Sequence, residues 1–314
     1  LSSFFSGVGK MKTLLLSILI AHFLNISLDI VLIFGIKGLI PPLGIAGAAI
    51  ATLISQLTLC STLFFIFIKK HNITTYCSHL WKVNWIYMWG MLKKGVPFSI
   101  GRAVGIACWL FASFIMINKG ADHLLSLSFV TTLYLCFAFI NEGLAQTLIT
   151  VISHAMGKNK ELFTFKIFLS AMIILSLHFI LLFAPFCLFS SNLISFFITD
   201  NLGIASKNLL AYCCLLIWFQ LLFSGFYKIT LSFIIASKDI LFFSFVAPII
   251  WLTFYLPVLL GIKFLRLAPT LFFITECINY FAFGMIFLIV GLLGYQELKS
   301  FIFGLIFLLV ALCL

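Results

Sequence analysis

The sequence predicts an all-α membrane protein, a polytopic helical bundle of about 8 transmembrane helices followed by a short apolar C-terminal segment. Three observations carry this. Hydrophobic residues make up 64% of the 314 positions and charged residues only 9%, whereas a soluble domain is roughly a quarter charged. So few charges cannot coat a water-facing surface. The apolar residues are gathered into runs that can cross a hydrocarbon core, which needs about 20 residues of helix. The basic residues fall between those runs and favour alternate connections, as membrane topology demands.

In chain order the runs cover 13–36, 43–68, 96–117, 124–152, 163–189, 208–236, 240–262 and 267–294. Each is read as helix because a backbone in lipid must pair its own N–H and C=O groups. Lys10 and Lys12 ahead of the first run resemble a signal peptide, but no small-x-small cleavage site follows and the apolar run continues to Ile36. Leu1 is not an initiator, so the chain is expected to begin inside a longer reading frame. The run 301–314 is too short to span; it is expected to be interfacial, tucked against the bundle, or a helix cut short.

Outside the spans one side collects Lys10, Lys12, Lys69, Lys70, Lys82, Lys93, Lys94, Lys158, Lys160, Lys166, Lys238 and Lys299, and the other only Lys37, Lys119, Lys207, Lys263 and Arg266. The richer side is expected to be cytoplasmic, which places both termini there. Residues 69–95 carry five of those lysines, no acid, and Trp81, Trp85 and Trp89 at successive helical turns. They read as a cytoplasmic amphipathic connector at the membrane surface. The net charge of +11 is spread between spans rather than along one face, so no nucleic-acid partner is expected. Cys60, Cys108, Cys136, Cys213 and Cys214 sit in apolar runs without metal-ligand spacing; they read as packing residues, and no metal is expected.

Ionisable groups inside spans are costly and therefore candidate functional groups. Asp29, Arg102, Glu142, Lys228 and Glu276 qualify. Asn25 lies one turn before Asp29 on the same face. That pair suits a Na⁺ or proton site, or else a hydrogen bond between Asp29 and Gln56 on the next helix. Glu142, beside Asn141 and one turn before Gln146, suits proton coupling in an otherwise apolar helix; its alternative is a salt bridge to Arg102 or Lys228. Glu276 has Asn279 three residues on, a second polar patch. The acids are scattered one to a segment and no GxxxxGK loop occurs, so neither an enzyme nor ATP as an energy source is expected.

Residues 25–35, NISLDIVLIFG, and 42–56, PLGIAGAAIATLISQ, closely resemble the fifth and sixth helices of the multidrug and toxic compound extrusion family. KGVP at 94–97, GLAQT at 143–147, SHAMG at 153–157 and ASKD at 236–239 also look like that family. The resemblance implies helices five to twelve with the N-terminal part missing: residues 1–68 as the remainder of an N-terminal lobe, 69–95 as the connector, 96–297 as a six-helix C-terminal lobe and 298–314 as an apolar tail. It implies a two-lobe transporter, monomeric, in the plasma membrane, exporting small organic cationic or amphipathic compounds in exchange for Na⁺ or H⁺, with no cofactor besides the coupling ion.

The sequence departs from the family at two points. Where cation-coupled members place a Glu in the seventh helix and an Asp in the tenth, this chain has Gly105 and Ser224, with the bases Arg102 and Lys228 close by. Those bases suit the anionic diphosphate moved by lipid-linked oligosaccharide flippases of the same superfamily, which is the alternative reading. An inactive truncated transporter is the other. A faint internal repeat, Lys12 and Gly35-Ile36-Lys37 matching Lys238 and Gly261-Ile262-Lys263, fits parallel repeats about the membrane normal.

Overall fold

The computed structural model describes residues 1–36, 41–69, 75, 84–158, 161–197, 204–236, 240–265 and 270–292. The readings placed on Trp81, on the bases Lys37, Lys70, Lys82, Lys160, Lys238, Arg266 and Lys299, on the polar turn 237–239 and on the tail 298–314 lie outside these residues. The described ones form helices α1 (Ser2–Gly7), α2 (Met11–Phe34), α3 (Ile45–Phe67), α4 (Trp85–Lys119), α5 (Ala121–Gly157), α6 (Glu161–Phe183), α7 (Ser190–Phe197), α8 (Ile204–Ala236), α9 (Ile240–Ile250), α10 (Leu256–Phe264) and α11 (Leu271–Leu292). Eight helical stretches are long and apolar enough to cross a membrane, matching the eight runs read from the sequence. Large apolar side chains such as Phe23, Leu53, Phe139 and Leu181 point outward, as they must where the solvent is lipid.

The chain divides into two compact units, Leu1–Trp85 and Ile86–Leu314. In the first, α2 and α3 form a tight antiparallel hairpin. Gly35, at φ 74°, ends α2 in a conformation that suits glycine. The amides of Leu43 and Gly44 donate to the carbonyls of Leu32 and Ile33. Gly47 then packs on the α2 backbone: a Cβ there would lie 2.5 Å from the Leu32 carbonyl oxygen. The small-residue run 44–51 is what permits this approach.

In the second unit α5, α8 and α11 run in the same direction side by side. Ser206 bonds Asp122 near their starts, and Asn141 and Ser232 bond Leu221 and Ala145 further along. Helix α6 returns antiparallel against α8, where Trp218 stacks on Phe179 at 4.0 Å and donates its indole N–H to that residue's carbonyl. A core of Met116, Leu133, Leu182, Ile217, Leu259 and Phe272 joins these helices to α4 and α10.

Helix α4 differs from the expected span. It begins at Trp85 and runs unbroken through Pro97 to Lys119, not from residue 96. Lys93 and Lys94 mark a polarity boundary, and the helix continues through it although Pro97 has no N–H to give the Lys93 carbonyl.

The stretch α9–α10 is interrupted by a π-helical turn, Trp251–Tyr255. Pro248 supplies no N–H to the carbonyl four residues back, and the chain widens just beyond it. Such bulges turn the following side chains relative to a regular helix. Here Trp251 lands on Gly105, where a Cβ would lie 2.9 Å from the indole nitrogen, and Tyr255 is directed into the bundle.

Candidate functional site: a buried carboxylate between three helices

Glu276 on α11 is 5% exposed, and among the described residues it is the buried acid. The amide Nε2 of Gln220 on α8 donates to one carboxylate oxygen at 2.8 Å. The Tyr255 hydroxyl, delivered by the π turn, donates to the other at 3.3 Å. The second helix thus fixes one oxygen and the broken span the other. A buried acid without such partners would cost several kcal/mol; hydrogen-bonded on both oxygens, it can remain in the bundle.

Glu276 borders a cavity of about 70 Å³, room for about two waters. Gln220, Thr131, Tyr134 and Tyr280 also line it, with Trp109 and Phe272 as apolar wall. One turn along α11, Asn279 is 2% exposed and both polar atoms of its amide lack a partner. Leaving such groups unpaired costs about 1–3 kcal/mol each, so packing alone does not explain an asparagine there.

A second polar group sits where α5 meets α8. Lys228 Nζ pairs with Glu142 Oε1 at 2.7 Å and lies 5.8 Å from the Tyr134 ring centre. The lysine side chain is 13% exposed and the glutamate 54%, so the pair is half in the bundle and half at its surface. Of the two readings of Glu142, the ion pair is the one formed. Arg102 and Gln146 are exposed, and neither joins the Glu276 cluster.

In the first unit, Asn25 and Asp29 share one face of α2. Asn25 Nδ2 and Asp29 Oδ1 are buried atoms without hydrogen-bond partners. The expected alternative, a hydrogen bond between Asp29 and Gln56, is not formed: Gln56 is exposed on α3. At the two positions where the family resemblance led to acids, Gly105 is closed off by Trp251 and Ser224 is fully buried, donating to the Leu221 carbonyl. An acid side chain at 105 would have to displace the indole.

Sequence reasoning found Glu276 and Asn279 but missed Gln220, Tyr255, Tyr134 and Tyr280. Gln220 carried a usable signal, since an amide in an apolar span also demands a partner. The tyrosines carried none, because their rings suit lipid-facing and buried positions equally.

No family model matches the sequence. Over 143 residues the chain is 30% identical to a protein named probable multidrug resistance protein NorM from Bacillus subtilis, which covers 43% of this chain and 31% of that protein. Over 121 residues it is 29% identical to a probable multidrug resistance protein NorM from Thermotoga maritima, covering 38% and 26%. The matched stretch therefore spans less than a third of either curated relative. Among solved structures, a MATE protein in a bent conformation superposes with TM-score 0.68 at 16% identity, over 94% of this chain and 62% of that one. An outward-facing multidrug resistance MATE family transporter of the MOP superfamily gives 0.63 at 20% identity, over 91% and 62%. At these identities the superpositions speak for the fold, which is the one the residues at 25–56 led to.

Proposed function

We propose that this chain, a relative of the multidrug and toxic compound extrusion transporters in sequence and in fold, serves secondary active export of organic cationic or amphipathic compounds, with Na⁺ or H⁺ moving inward in exchange. One observation carries the reading: a buried carboxylate, Glu276, held by Gln220 and Tyr255 at a small polar cavity inside a largely apolar bundle. An intramembrane acid at a cavity is what a coupling ion can neutralise and leave. Neutralising it changes the local charge by one unit, which biases two arrangements of the surrounding helices through differential affinity.

The flippase alternative takes Arg102 and Lys228 as bases suited to an anionic diphosphate. Lys228 is paired with Glu142, which supports the exporter over the flippase.

The test is transport by the purified chain in proteoliposomes loaded with a cationic dye, under an imposed Na⁺ or H⁺ gradient. Gradient-driven dye movement that Glu276→Gln reduces at least tenfold is expected. Dye movement indifferent to both gradients, or to Glu276→Gln, defeats the reading.

A further inference from the structure

Two ions can serve the exchange proposed above, and the surroundings of Glu276 separate them. Na⁺ is a hard cation that enters a dry site only where oxygen lone pairs replace its water shell. A proton needs one lone pair. At Glu276 the neighbours turn hydrogens toward the carboxylate: Gln220 gives its Nε2–H to one oxygen at 2.8 Å, and Tyr255 gives its O–H to the other at 3.3 Å. A carboxylate has about four lone-pair positions, so each oxygen keeps one for a proton. A Na⁺ ion on the same oxygens would face those donor hydrogens. The cavity alongside offers it little more. A volume of about 70 Å³ holds about two waters, too few for a hydrated ion, and Trp109, Leu127, Val130, Phe272 and Phe273 make an apolar wall. Asn279 does not border this cavity, so its amide oxygen adds no ligand there.

Hydroxyls lead outward from this cavity. Tyr134 of α5 and Tyr280 of α11 both line it, a side-chain hydrogen bond links them, and both are half-buried. The Tyr134 ring lies 5.8 Å from Lys228 Nζ, whose partner Glu142 is 54% exposed. Among the described residues, the titratable groups around Glu276 carry no charge at neutral pH. They are Tyr255 from the broken span, Tyr134 from α5, Tyr280 and Cys277 from α11, and Cys108 of α4 near Tyr255. The charged groups lie further out, Lys228 with Glu142 beyond Tyr134, and Arg102 near Tyr227.

We propose that the ion exchanged at Glu276 is a proton, and that Tyr134 and Tyr280 relay it between the cavity and the Lys228–Glu142 face of the bundle. The inference rests on the export reading for what the exchange drives, and on the geometry alone for the proton site. In the loading step a hydronium ion at that face gives its proton to a tyrosine hydroxyl oxygen. That hydroxyl passes its own proton inward through the second tyrosine and cavity water, and a Glu276 oxygen gains an O–H bond. One water is left outside, one O–H bond is broken for the one formed, and Glu276 becomes neutral; release runs the same steps backward. A Na⁺ ion cannot hop in this way and would have to pass bodily between the two rings.

Infrared difference spectra of the purified chain, acid against alkaline buffer, give the test. The C=O band of protonated Glu276 is the one lost in Glu276→Gln. It is expected to titrate with the same midpoint in Na⁺ and in choline buffer of equal ionic strength. Competition by Na⁺ would lower the midpoint by about one pH unit per tenfold rise in Na⁺, and that result overturns the assignment, as does a carboxylate that takes up no proton while the chain stays folded. Tyr134→Phe should leave the midpoint in place and slow the deuterium shift of the band in D₂O by about tenfold or more, and Tyr280→Phe likewise; unchanged exchange in both overturns the relay. In proteoliposomes, Glu276-dependent dye flux driven by Na⁺ without a pH gradient overturns the proton assignment and keeps the export reading. Flux under neither gradient defeats the export reading, and the spectra then decide the proton site by themselves.

Discussion

Glu276 and Glu142 have the same side chain, and their neighbours give them different work. Glu276 is enclosed and accepts from two neutral donors; Glu142 is half in the open and paired with a cation. Glu276→Ala would leave the Gln220 amide and the Tyr255 hydroxyl buried without an acceptor. It should destabilise by about 2–4 kcal/mol, whereas Glu276→Gln keeps one carbonyl oxygen to accept from the Gln220 amide and can donate its own N–H to the Tyr255 hydroxyl oxygen, and should cost less; thermal unfolding in detergent distinguishes them. Glu142→Gln should cost only about 1 kcal/mol, since the exposed partner is screened. It should still cost more than Lys228→Met, because it strands a charge that is mostly covered. A larger loss for Lys228→Met would show that the lysine has a partner beyond Glu142. Glu276 was legible in the sequence because a charge in an apolar run is conspicuous. Its partners were not, since Gln220 lies 56 residues away and Tyr255 21, and one-dimensional spacing does not say which faces meet.

At the level of elements, the small residues separate two kinds of close approach. A methyl at Gly47 would lie 2.5 Å from a backbone carbonyl, whereas one at Gly225 would lie 2.3 Å from the end of the Leu175 side chain. Backbone cannot yield and a leucine tip can turn, so Gly47→Ala should destabilise by about 2–3 kcal/mol and Gly225→Ala by about 1 kcal/mol or less. Equal losses in thermal unfolding would contradict the hairpin geometry. Gly105→Ala makes a different prediction. It pushes on Trp251 at the π turn that also presents Tyr255, so it should shift Trp251 emission and weaken transport several-fold while leaving α2 and α3 untouched. The glycine- and alanine-rich run 44–51 was readable as a packing face from composition alone. The start of α4 was not, because Lys93 and Lys94 end an apolar run without ending the helix, and helix boundaries follow hydrogen bonding rather than hydropathy.

For the whole molecule, the eight spans were legible because length and apolarity are summed properties that local errors do not overturn. The π turn was not, although Pro248 stands in the sequence, because a proline announces a disturbance without saying which residues it redirects. That turn links the fold to the site: without it the Tyr255 hydroxyl and one oxygen of Glu276 would not meet as they do. Glu276, proposed as the exchangeable charge, is therefore the group on which ion-coupled export should depend. The most direct measurement is dye flux in proteoliposomes run side by side for the unmodified chain and Glu276→Gln, with dye binding measured on the same preparations. Retained binding with gradient-driven flux lowered at least tenfold is the predicted result; full flux in Glu276→Gln would contradict it.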